Sequence, residues 1–164
     1  MPSALLLGTG LLLASLLSFS VAIVLVVSLM SRVIRTGYSG ESFWKNVAIM
    51  MVVTLVMAAA HLMEIAIWAA TFQASSEIST FAKAFYFSAQ NYTSLGYGDI
   101  VLSDRWRLLG PLEAINGLLL FGLSTAAMFA ALSRLVSRHL SASRILPRNT
   151  ESLPKRAAAS RSAM

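Results

Sequence analysis

The chain has 164 residues, 57% hydrophobic and only 12% charged, with a mean hydropathy of +0.71 and a net charge of +6. That composition is too apolar for a soluble domain of this length and calls for membrane-spanning segments, each of about 20 apolar residues. The absence of cysteine excludes disulfides and thiolate metal sites.

Residues 3–30 form the first such run and carry no charged side chain. The run lacks a basic flank at its start. It is also longer than a signal-peptide core of about 7 to 15 residues, so the expectation is a retained helix over residues 1–31. Residues 32–46 follow as a loop with Arg32, Arg35 and Lys45 against Glu41. Phe43, Trp44 and Lys45 read as an interfacial entry, with the indole at the headgroups and the lysine reaching outward.

The second span is expected over residues 47–73, interrupted only by His61 and Glu64. Three positions apart, these two share one helical face. An ionisable pair inside a membrane is either a hydrogen-bonded packing network or a pH-sensitive latch. Asn116 in the third span, with Glu113 nearer its start, is the expected partner. Two such residues make a poor metal site, and no nucleophile motif accompanies them, so no enzyme is expected. Met50, Met51, Met57 and Met63 read as packing residues.

Ser75 and Ser76 break the apolar run. A short helix over residues 79–92 follows, too short to cross a bilayer yet apolar and aromatic over much of its surface. The polar, glycine-rich stretch NYTSLGYGDI, residues 91–100, comes next. A short helix and a glycine-rich segment between two spans form the pattern of a re-entrant loop. Irregular backbone at membrane depth survives only when protein buries it or it lines a wet cavity.

The third span is expected over residues 111–136, with Pro111 in its first turn. A basic tail, residues 138–164, is expected to be helical only near residues 134–140. From Arg134 onward there are seven basic residues and one acid, whereas the segment between spans two and three is balanced. The positive-inside rule then places the N-terminus outside and the C-terminus in the cytoplasm. The basic excess reads as topology and lipid contact, with Arg134 and Arg138 as candidates for anionic headgroups. No folded basic module suggests nucleic acid.

The segment TSLGYGD, residues 93–99, resembles the filter signature of potassium channels. Gly96, Tyr97, Gly98 and Asp99 match it, Ser94 stands for the usual threonine and Leu95 for the usual valine. The stretch GLLLFGLSTAA, residues 117–127, is similar to the inner helix of bacterial two-helix potassium channels. The resemblance implies an all-α membrane protein. Its pore domain, residues 47–137, holds an outer helix, a re-entrant pore helix, a filter over residues 94–98 and an inner helix. It sits in a four-fold symmetric homotetramer in a bacterial inner membrane, with one additional N-terminal helix.

The function the resemblance implies is passive conduction of K+, the permeant ion, with no cofactor. Ions would be held at Ser94, Leu95, Gly96 and Tyr97 by rings of backbone carbonyls, with Gly98 completing the strand. Aiming successive carbonyls at one axis needs backbone angles of alternating sign, which glycine tolerates. Thr93, Asp99, Gln90, Tyr86 and Phe87 are the expected filter supports, with the Tyr97 ring wedged against Tyr86 and Phe87. Gln90 stands where many relatives carry a glutamate that pairs with the filter aspartate, and its neutral amide can still hydrogen-bond Asp99. Gly117 falls at the family's hinge, and Leu118, Phe121, Gly122, Thr125 and Phe129 belong to the cavity and gate. The alternatives are a weakly selective cation channel of the same fold and a non-conducting accessory subunit of a larger membrane complex.

Overall fold

A computed structural model describes residues 2–35 and 43–144. The described residues form four α-helices and no strand: α1 (Pro2–Arg35), α2 (Phe43–Ala74), α3 (Phe81–Tyr92) and α4 (Leu109–Arg144). By length and composition α1, α2 and α4 can each cross a membrane. The 12 residues of α3 rise only about 18 Å and cannot. The expected order of elements is present: an additional N-terminal helix, a second long helix, a short helix and a third long helix.

The boundaries differ from the sequence reading in identifiable ways. The interfacial Phe43-Trp44-Lys45 segment is already helical, so α2 starts ahead of residue 47. Its end is a closed C-terminal turn: Ser76 takes a left-handed φ of 60°, its N–H bonds the Gln73 carbonyl, and the Glu77 N–H bonds that of Phe72. These bonds satisfy carbonyls that the last turn would otherwise orphan. Helix α3, the expected pore helix, begins at Phe81 rather than at residue 79, because Thr80 is its extended N-cap and accepts from the Lys83 N–H at 3.4 Å. Helix α4 takes in Leu109 and Gly110 ahead of Pro111, whose missing N–H is one of the orphan donors of a first turn. At its other end the backbone stays helical to Arg144, beyond the expected limit near residue 140, since neither glycine nor proline interrupts it before Pro147. Residues 36–42 of the first loop and 145–164 of the tail lie outside the described residues.

Helix α3 packs between α2 and α4, and α1 lies against α4 and α2. One cluster, around Trp68, Phe72, Phe87, Leu102 and Leu109, holds the start of α3 and the loop after the glycine-rich segment. A second, around Phe19, Met57, Ile65, Tyr92 and Leu120, holds the end of the pore helix. Tyr92 therefore sits level with residues near the middle of α1, α2 and α4, so α3 enters about halfway and stops. The approach of α1 is close: a β-carbon at Gly8 would overlap the Leu112 side chain.

Candidate selectivity filter and its support

The chain turns out of α3 at Thr93, whose Oγ1 bonds back to the Ala89 carbonyl at 2.7 Å. The Ser94 N–H bonds the Asn91 carbonyl at 2.8 Å, and the Leu95 and Gly96 N–H groups both bond the Gln90 carbonyl, at 2.8 and 3.3 Å. From there the strand is non-helical and exposed on the single chain. Its backbone has left-handed φ at alternate residues: 58° at Ser94, 55° at Gly96 and 75° at Gly98. Leu95 and Tyr97 between them do not share it. Alternation of this kind turns successive peptide planes so that their carbonyls can face one side.

Gln90 braces the strand from the pore helix. Its backbone carbonyl takes the two N–H groups just named. Its side-chain Oε1 accepts from the Tyr97 N–H at 3.2 Å, and its Nε2 donates to Asp99 Oδ1 at 3.2 Å. The bond to Asp99 was expected from the residue types, whereas the one to Tyr97 was not. Burial opposes ionisation of Asp99, but hydrogen bonds from Gln90, Tyr86 and neighbouring backbone outweigh it and hold the carboxyl below its ordinary range. The Tyr86 phenol, bonded to that carboxylate, is pushed up. Beyond the filter, Glu77 accepts from both the N–H and the hydroxyl of Ser103 at 2.8 Å, tying the turn before the pore helix to the loop after the strand.

On α4, Leu118, Gly122, Thr125 and Phe129 form one exposed stripe, with Phe129 at 70% exposure. Their spacing of four, three and four keeps them on one face. Thr125 spends its hydroxyl on the Phe121 carbonyl at 2.8 Å.

Residues 51–134, more than half of the chain, match the model of a protein family described as "Ion channel". The chain belongs to the ion-channel family. Neither a curated protein nor a solved structure matches it. The matched span runs from the first third of α2 through α3 and the glycine-rich segment into the last third of α4, and α1 lies outside it. This is an integral membrane ion channel in contact with lipid through its three long helices.

The channel corrects several sequence expectations. The Tyr97 ring, expected to wedge against Tyr86 and Phe87, is largely open on the single chain. It is 66% exposed, Phe87 packs edge-on against Phe72 of α2 at 5.0 Å, and Tyr86 serves Asp99. Phe121 does not lie wholly on the cavity stripe, because its ring stacks on His61 at 4.6 Å.

The expected network of His61, Glu64 and Asn116 is divided. Three positions on one helix differ by about 60° in direction, enough for His61 and Glu64 to reach different neighbours. His61 bonds the Tyr92 hydroxyl through Nδ1 at 2.7 Å and the Ser124 hydroxyl through Nε2 at 3.1 Å. Glu64 instead accepts from Ser18 of α1 at 2.6 Å. Asn116 is fully buried, and its amide has no hydrogen-bond partner among the described residues. Glu113, foreseen near the outer surface, is buried and accepts from Ser88, which contacts the Ile65 carbonyl at 2.8 Å as well.

Tyr92, Ser88, Ser124 and Ser18 are thus supports that sequence reading missed. Ser88 and Tyr92 stand four apart on the pore helix, a spacing that marks one face, but nothing in the sequence says what that face meets. Gly117, expected as a hinge, is buried with its α-carbon against the Tyr92 backbone.

Proposed function

We propose that this ion channel is a potassium-selective homotetramer whose ions pass along the backbone carbonyls of Ser94, Leu95, Gly96 and Tyr97. The observation that carries the reading is the alternating left-handed φ at Ser94, Gly96 and Gly98. A left-handed conformation costs an L-residue about 1–2 kcal/mol, so a serine held there needs a reason, and a row of carbonyls replacing an ion's water supplies one. One strand covers only part of an ion. Four copies around an axis complete the cage and bring the exposed Leu118, Gly122, Thr125 and Phe129 stripe to line the cavity beneath it.

Other features fit the same arrangement. The exposed Tyr97 ring projects from the subunit where a neighbouring copy belongs. The C-terminal end of α3 lies under the filter, and its partial negative charge favours a cation there. Arg134 is exposed near the end of the apolar part of α4, at the level of anionic headgroups. By the positive-inside rule the basic loop and tail favour a cytoplasmic C-terminus and an outside N-terminus, which fits a bacterial inner membrane.

Liposomes containing the purified chain test the reading. With a potassium gradient they should show flux that sodium replaces poorly, and the detergent-solubilised particle should have the mass of four subunits. Equal potassium and sodium flux would instead mean a weakly selective pore. No flux, with a particle that cannot be four-fold, would overturn the proposal.

A further inference from the structure

All four helices meet at one imidazole. The His61 ring of α2 lies between Phe19 of α1, at 4.9 Å, and Phe121 of α4, at 4.6 Å. Its Nδ1 meets Tyr92 Oη of α3 and its Nε2 meets Ser124 Oγ of α4. The Ser124 hydroxyl also lies 3.0 Å from the Phe121 carbonyl. One assignment of protons satisfies the whole chain. Tyr92 donates to Nδ1, Nε2–H donates to Ser124, and Ser124 donates to the Phe121 carbonyl, with a neutral imidazole and nothing left over.

Tyr92 is completely buried and precedes Thr93 and Ser94 directly. It is fixed at two places: its carbonyl rests against Gly117, and its phenol is held by His61. The polar atoms of His61 thus reach toward the filter and the inner helix, and not toward Glu64.

We propose that His61 is a positioning residue for ion selectivity: through Tyr92 and Ser124 it sets the distance between the inner helix and the inner end of the filter, where Ser94 would hold the innermost ion. This rests on the potassium-channel reading above. A few tenths of an ångström there change the fit of an ion of given radius, since neither the Tyr92 carbonyl nor Gly117 leaves slack.

The test uses the full chain in liposomes, with the potassium-to-sodium permeability ratio as readout and particle size in detergent as the check on assembly. The variants are Tyr92→Phe, Ser124→Ala, His61→Phe and the double variant Tyr92→Phe with His61→Phe. Tyr92→Phe and His61→Phe keep the rings and remove the hydrogen bond between them. Each should lower the ratio about tenfold, the factor that one such bond represents. The double variant should fall no further than His61→Phe alone, because that substitution already removes the link to Tyr92 along with the one to Ser124. Ser124→Ala should fall in the same direction by less.

A ratio unchanged from the parent in correctly sized particles would overturn the proposal, as would a double variant whose loss is the product of the two singles. Should His61→Phe not assemble, Tyr92→Phe decides, since it deletes one oxygen only. A parent that passes both ions equally sinks the potassium reading and this inference together. A selective parent with equally selective variants sinks this inference alone.

Discussion

Gly117 on the inner helix lies directly against the backbone of Tyr92, the last residue of the pore helix. A β-carbon at 117 would overlap the Tyr92 carbonyl oxygen and crowd its carbonyl carbon at 2.8 Å. Neither group can swing away as a side-chain end would, because both belong to helix backbone. The resemblance that assigns Gly117 to a hinge therefore coincides with a second requirement: no other residue lets α4 approach α3 this closely. Gly122, five residues on, has nothing within 4 Å of its would-be β-carbon.

Gly117→Ala is accordingly expected to push the inner helix off the filter base. Overpacking of this kind costs about 1–3 kcal/mol, so the assembled particle should melt at a lower temperature and lose most of its potassium flux. Gly122→Ala meets no obstacle within the subunit and gains helix propensity of up to about 1 kcal/mol, so it should assemble as well as the parent. Thermal melting by size-exclusion of the solubilised protein compares the two. Equal melting of parent and Gly117→Ala would refute the packing role.

At the filter the constraint is conformational, since β-carbons at Gly96 and Gly98 would also meet nothing within 4 Å of the same chain. Gly98→Ala still forces an L-residue to a φ of 75°, at about 1–2 kcal/mol in every subunit. Selective conduction should be lost while the helical circular-dichroism signal and the particle size remain. Undiminished selective current in that variant would rule out the strand as the filter.

What could be read from the sequence divides along a physical line. Three spans, a short buried helix and the glycine-rich strand follow from apolar run length and from residue types that tolerate left-handed φ, both local properties. The resemblance of residues 93–99 and 117–127 supplied the rest of the pore plan. Which side chains meet across helices was legible only in part. Gln90 with Asp99 was foreseen through the resemblance, because Gln90 stands where relatives carry a glutamate that pairs with the aspartate. His61 with Tyr92 was not, because two helical faces share no sequence pattern that names the other. The division of His61 from Glu64 comes from 60° of helical twist multiplied by the choice of neighbours, a matter of packing.

Glu64 carries a prediction about the additional helix. One of its carboxyl oxygens accepts from Ser18 of α1 and the other has no partner among the described residues, so α1 both bonds the group and screens it from lipid. An acidic side chain at mid-membrane costs about 2.5–3.5 kcal/mol on insertion scales. Deleting residues 1–35 should therefore sharply reduce the yield of assembled particle. Adding Glu64→Leu to the deletion should recover much of it. In the full chain the same substitution should do little harm, since the Ser18 hydroxyl can turn its proton to the Ser15 carbonyl, 3.0 Å away. A truncated protein that assembles as well with Glu64 as with leucine would count against this role for α1.

Asp99 gives a prediction in pH. Hydrogen bonds from Gln90, Tyr86 and nearby backbone hold its carboxyl below the ordinary value of 3.8, against the opposing effect of burial. A group whose pKa is lowered in the folded state stabilises that state above its ordinary pKa, and the contribution is lost as pH falls through the lowered value. Between about pH 5 and pH 8 Asp99 thus remains a carboxylate, and its bond to Gln90 adds no pH dependence there. Gln90→Leu removes a donor to Asp99 and the acceptor for the Tyr97 N–H. The Asp99 pKa should rise, and the filter should fail at a higher pH on acidification of the Asp99 side. Tyr86→Phe should shift the profile the same way, with the Tyr97 bond to Gln90 left intact. Comparison between variants isolates Asp99, because His61 is common to all of them and any contribution it makes cancels. Potassium flux recorded across a pH series in liposomes gives the profiles, and coincident curves for parent and Gln90→Leu would remove Gln90 from its supporting role at Asp99.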